Sequence, residues 1–105
     1  MLLIKPGVKF TDLTPQILLG VIVVASVYEG YGAKCTITSV NDGKHSDNSL
    51  HYKGRAVDFR TKDFVGDKVA LVTSLKVALS ENFDVVLEHV GAKDEHIHVE
   101  YDPKL

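Results

Sequence analysis

The sequence predicts an α+β domain: a small antiparallel sheet covered by two helices. Three observations carry this. A long apolar run occupies residues 17–27, too continuous for a strand and preceded by a helix-start signal at Thr14-Pro15. A second segment, residues 66–82, spaces Val69, Val72, Leu75 and Leu79 at helical intervals, with Leu71 and Ala78 beside them. The other apolar stretches are short, and they do not alternate strictly with helices as in a doubly wound fold.

In order along the chain, residues 1–11 are short and mixed, with Pro6-Gly7 as a turn, and predict at most an edge strand. The first helix takes Thr14 as its cap and runs to about Glu29, where Gly30 and Gly32 stop it. Its β-branched content is high, so burial has to override propensity, and it reads as a buried core helix. Residues 34–40 alternate as a strand. Residues 41–49 are Asn, Asp, Gly and Ser chemistry, which competes with regular backbone bonding and reads as a loop. Residues 56–60 form a short strand and the amphipathic helix follows. Residues 83–89 form a buried strand through Val85, Val86 and Leu87. A hairpin loop at 90–94 leads to a last strand at 97–101, ended by Asp102-Pro103.

The chain has 105 residues, one domain by length, with 45% hydrophobic and 25% charged residues and a formal charge of −2. No clustered basic face or aromatic interleaving points to nucleic acid. The apolar run at 17–27 is about half the ~18 or more residues expected for a membrane span, so no membrane partner is expected. No basic leader opens the chain, which reads as lacking an export signal. The single Cys35 excludes an internal disulfide and any cysteine-type zinc finger, and reads as a small buried apolar residue. A metal, if used, must be held by His and carboxylates.

The five histidines fall in two places: His45 and His51 in the central loop, His89, His96 and His98 near the C-terminus. His51 and Asp58 flank Gly54, where the backbone can turn sharply and bring both side chains to one point. Both are ordinary zinc ligands. His96 and His98, two apart on a strand, share a face, while Glu95 and Glu100 are read as lying off it on a regular strand, with a break at the strand start freeing Glu95 to lean inward. His51, Asp58 and one C-terminal His would make three ligands, leaving an open position for water, and a nearby Glu would serve as base. Spacing does not choose between His96 and His98.

The stretch Ser49-Leu50-His51-Tyr52-Lys53-Gly54-Arg55-Ala56-Val57-Asp58 resembles the Ser-x-His-x-x-Gly-x-Ala-x-Asp motif of the zinc D-alanyl-D-alanine peptidases and phage L-alanyl-D-glutamate endolysins. Glu95-His96-Ile97-His98 matches their acidic-x-x-His motif. These enzymes share a small fold with the Hedgehog signalling domain. The resemblance covers roughly residues 34–102 and implies a Hedgehog/DD-peptidase-like fold, with zinc on His51, Asp58 and His98, and Glu95 as catalytic base. It places Ser49 at the substrate and His96 beside the pocket. Where many relatives carry Ser-Gly-Tyr-Arg, this chain reads Ser39-Val40-Asn41-Asp42, so Lys44, Arg55 or Arg60 would have to replace the substrate-binding arginine. The expectation is a zinc peptidase cutting peptidoglycan stem peptides, released in phage-type lysis or carried by a virion. The rival is a non-catalytic zinc-binding module on the same fold.

Overall fold

The computed structural model describes residues 1–40 and 55–103. The elements are β1 (Leu2–Ile4), α1 (Pro15–Gly30), β2 (Cys35–Ser39), β3 (Ala56–Arg60), α2 (Lys68–Leu79), β4 (Phe83–Glu88) and β5 (His96–Tyr101). All seven fall within the segments the sequence assigns them, give or take one residue, with α2 ending at Leu79, three residues short of the expected 82, and β1 confined to Leu2–Ile4 of the first eleven.

The helix starts follow capping chemistry. Thr14 Oγ1 accepts the Ile17 N–H at 3.3 Å, with Pro15 in the first turn. Asp67 caps α2, its carboxylate accepting the N–H groups of Val69 and Ala70 at 2.9 and 3.2 Å. One stripe of α1 is buried: Ile17, Gly20, Val21, Val24 and Tyr28. The opposite side stays apolar yet exposed, with Leu19 at 64% and Ile22 at 60%, so α1 is buried on one face and is not the fully buried core helix expected. Among the described residues no helix is long and apolar enough to cross a membrane.

The sheet has five strands in the order β1-β2-β3-β5-β4. The expected wholly antiparallel sheet is corrected at its edge: β1 pairs parallel with β2. The cause is connectivity, because α1 carries the chain from the end of β1 back to the start of β2, which is a parallel crossover. The pairs β2–β3, β3–β5 and β4–β5 are antiparallel. β5 is therefore inserted between β3 and β4, which run parallel through the α2 crossover.

The register sorts the side chains of the three last strands onto two faces. Val57, Val99 and Val85 lie side by side, as do Phe59, Ile97 and Leu87. These join Ile17, Val21, Val24 and Tyr28 of α1 and Leu71, Leu75 and Leu79 of α2 in one core. Gly20 is required there: a Cβ at that position would meet Phe83 Cε1 at 2.8 Å. The Tyr28 hydroxyl donates to the Arg60 carbonyl at 3.0 Å, tying α1 to the end of β3. Cys35 is fully buried, and burial pushes its thiol up to about 12, as befits an inert core residue. Both helices thus cover one face, and residues of the other parity point away from them.

Candidate metal-donor site

The helix-free face carries the chemistry. Period-two alternation puts Asp58 of β3, His98 of β5 and Val86 of β4 in one row, and Arg60, His96 and Glu88 in the next. Asp58 and His98 are directly opposed across the β3–β5 ladder, which holds them together without any loop. His98 Nδ1 lies 2.8 Å from Asp58 Oδ1, and its Nε2 lies 2.8 Å from Glu100 Oε1. Both Asp58 and His98 are largely buried.

A ring that meets a carboxylate at each nitrogen has to donate twice, so it is an imidazolium while no metal displaces a proton. Burial alone would pull its pKa down. The hydrogen bond and charge of Asp58, then those of Glu100, outweigh burial and lift it to about 9. His96 is set differently. Its Nδ1 donates to the Asp94 carbonyl at 2.8 Å, and its Nε2 lies 3.1 Å from Glu88 Oε1 and 3.8 Å from Asp58 Oδ2. Burial works against its charged form, but the Asp94 carbonyl, Asp58 and Glu88 raise its pKa overall.

The remaining expected residues divide clearly. His51, Ser49 and Lys44 lie outside the described residues. Arg55 precedes β3 at the end opposite Arg60, with its carbonyl accepting the Tyr101 N–H at 2.8 Å. Glu95, expected as base, is not brought to the Asp58–His98 pair. It shares the parity of Ile97 and so lies on the helix side, where it is buried at 8% exposure. Its Oε1 accepts from Lys68 Nζ and Thr61 Oγ1, and its Oε2 from the Gly91 N–H at 2.9 Å. The Lys68 hydrogen bond, then those of Thr61 and Gly91, hold the carboxyl down at about 2. A carboxylate with three donors and so low a pKa is a structural anchor and a poor proton acceptor.

The acid that does face the pair is Glu88, 4.0 Å from His98 Nδ1. Glu100, expected off this face, lies on it, because it stands two residues after His98 on one regular strand and so shares its parity. Further along, carboxylate oxygens of Asp84, Glu100 and Asp102 gather within 4.8 Å of one another.

As a donor set, Asp58 Oδ1 and His98 Nδ1 suit a borderline metal such as zinc. The second nitrogen of His98 on Glu100 reproduces the carboxylate–imidazole support common behind metal-bound histidines. The residues present therefore fit a zinc ion, which Asp58 and His98 would help to hold.

Residues 16–100 match the model of the Hedgehog amino-terminal signalling domain. The chain belongs to that family. It is 38% identical over 73 residues to the Indian hedgehog protein of Gallus gallus, covering 62% of this chain and 17% of the relative. It is 36% identical over 79 residues to the Indian hedgehog B protein of Danio rerio, covering 70% of this chain and 19% of the relative. To the Sonic hedgehog protein of Danio rerio it is 41% identical over 69 residues, covering 64% of this chain and 15% of the relative. The matched region thus spans under a fifth of those relatives' lengths.

Family membership overturns several expectations together. The chain belongs to the family of the Hedgehog amino-terminal signalling domain and not to that of the D-alanyl-D-alanine peptidases, so hydrolysis of peptidoglycan, a murein substrate and phage-type release all fall. The physical reason for the error is visible in the motifs. Ser49 to Asp58 and His96 to His98 report donor residues on a shared fold, and a donor pattern does not by itself specify turnover. The features particular to hydrolysis were the base and the arginine. Glu95 is spent on α2, and no arginine follows Ser39.

Proposed function

We propose that this chain is the protein-binding domain of a Hedgehog-type signalling ligand, acting outside the cell that makes it. The observation that carries the reading is the family match over residues 16–100. The geometry supports it: the helix-free face presents fixed charged and imidazole groups from three adjacent strands, as a recognition surface requires.

Zinc belongs to the proposal. His51, Asp58 and His98 would hold it, and its contribution would be structural, joining the segment that carries His51 to β3 and β5. Asp58 supplies the anionic oxygen, His98 the Nδ1 donor, and Glu100 keeps the ring oriented by accepting from Nε2. Glu88 and His96 flank the pair and shape the same surface.

The test is binding of the purified domain to the extracellular domains of receptors for hedgehog proteins, with zinc content measured on the same sample. The expected result is saturable binding by zinc-loaded protein, weakened at least tenfold in His98→Ala together with loss of the metal. Absence of binding by folded, zinc-loaded protein would refute the ligand reading. Absence of stoichiometric zinc in protein that still binds would refute the metal assignment alone.

A further inference from the structure

A cavity of about 270 Å³ opens beside the metal-donor site, at the end of the sheet where β1, β3 and the β4–β5 hairpin meet. Its walls include Lys5, just after β1, Arg60 and Lys62 at the end of β3, and Lys93 in the hairpin loop, with Thr38 and His96 between them. The chain as a whole is slightly acidic, at −2, so four cations around one concavity are not what its composition dictates.

Two acids, Asp94 and Glu95, share the wall, so the four cations outnumber them. Asp94 is paired with His89, Oδ2 to Nδ1 at 2.6 Å, and Glu95 is paired with Lys68 at 2.5 Å. Arg60 has only Asp63 at 3.7 Å, and among the described residues Lys5, Lys62 and Lys93 make no ion pair. An excess of cations over acids around a concave wall focuses a positive potential into it.

We propose that this cavity anchors an acidic side chain, Asp or Glu, from a loop or strand of the protein partner. The inference rests on the reading of the chain as a protein-binding ligand and names the chemistry of that partner. A single carboxylate suits the site better than a polyanion for two reasons. Arg60 offers a planar fork that matches a carboxylate. Asp94 on the rim repels a second negative charge placed beside the first. His96 lies on this wall and also against Asp58, so a docked carboxylate would sit next to the metal-donor pair.

The test is an amide-shift titration of the domain with an N-acetylated, C-amidated Gly-Glu-Gly peptide at low ionic strength. Lys62→Glu/Lys93→Glu and Arg60→Lys serve as variants, and inorganic phosphate and a sulfated oligosaccharide as competing probes. The expected result is shifts confined to the cavity wall, at Lys5, Thr38 and residues 60–62 and 93–96. Affinity should fall at least tenfold in the double charge reversal and severalfold in Arg60→Lys, with spectra unchanged elsewhere. Shifts outside the cavity, or an affinity indifferent to the charge reversal, would overturn the site. Tighter binding of phosphate or the sulfated sugar in the same cavity would overturn the carboxylate assignment. Failure of the ligand reading looks different: receptor domains would stay unbound while the peptide still filled the cavity.

Discussion

At the scale of single residues, the site is governed by which way two neighbouring positions point. Glu95 and His96 are adjacent, yet one is anchored to Thr61, Lys68 and Gly91 on the helix side and the other faces Asp58 and Glu88. For Glu95 and for His98, on the same face as His96, the consequences for pH are opposite in sign. The folded-state pKa of Glu95, about 2, lies below its ordinary value of 4.5, so its contribution to stability is present above about 4.5 and is lost as pH falls through about 2. Glu95→Gln should lower the melting temperature at pH 7 and shrink the loss seen on acidification, as thermal melts across pH 2–6 would show. The folded-state pKa of His98, about 9, lies above its ordinary value of 6.5. Its contribution in metal-free protein is therefore present below about 6.5 and is lost as pH rises through about 9. Zinc bound as proposed would replace a proton on Nδ1, so zinc affinity should climb with pH over that window, and uptake should release protons measurable in buffers of different ionisation enthalpy.

At the scale of elements, helix ends and one close approach set what a substitution costs. Thr14→Ala or Asp67→Ala removes the acceptor for the first turn of α1 or α2, and each should cost about 1 kcal/mol in chemical denaturation. Gly20→Ala should also destabilise, although an exposed helical glycine replaced by alanine ordinarily gains about 1 kcal/mol. The added Cβ would press on the Phe83 ring at 2.8 Å, and Phe83→Leu should relieve the penalty in a double-mutant cycle. Much at this scale was legible beforehand. Thr14-Pro15, the helical spacing after Gly66 and the alternation of residues 97–101 each report local backbone preference, and each element formed. The parallel pairing of β1 was not legible, because it depends on where α1 returns the chain. The exposed apolar face of α1 was not legible either, since a run that is hydrophobic all round does not say which side finds a partner.

At the scale of the whole molecule, β3 and β5 bring together two residues forty positions apart, Asp58 and His98, and residue types at the right spacing announced that pair. What the sequence could not announce was the use of the pair. A donor set on a shared fold is compatible with turnover and with recognition, and the distinction lay in the engagement of Glu95 by α2 and in family membership. If the domain signals, a response should appear when the purified, zinc-loaded protein is added to cells whose reporter answers to hedgehog proteins. The account predicts a saturable, concentration-dependent response that falls at least tenfold in His98→Ala and is unchanged in Val77→Ala, on the exposed side of α2. No response from folded, zinc-loaded protein at any concentration, on cells that do respond to a known hedgehog protein, would contradict it.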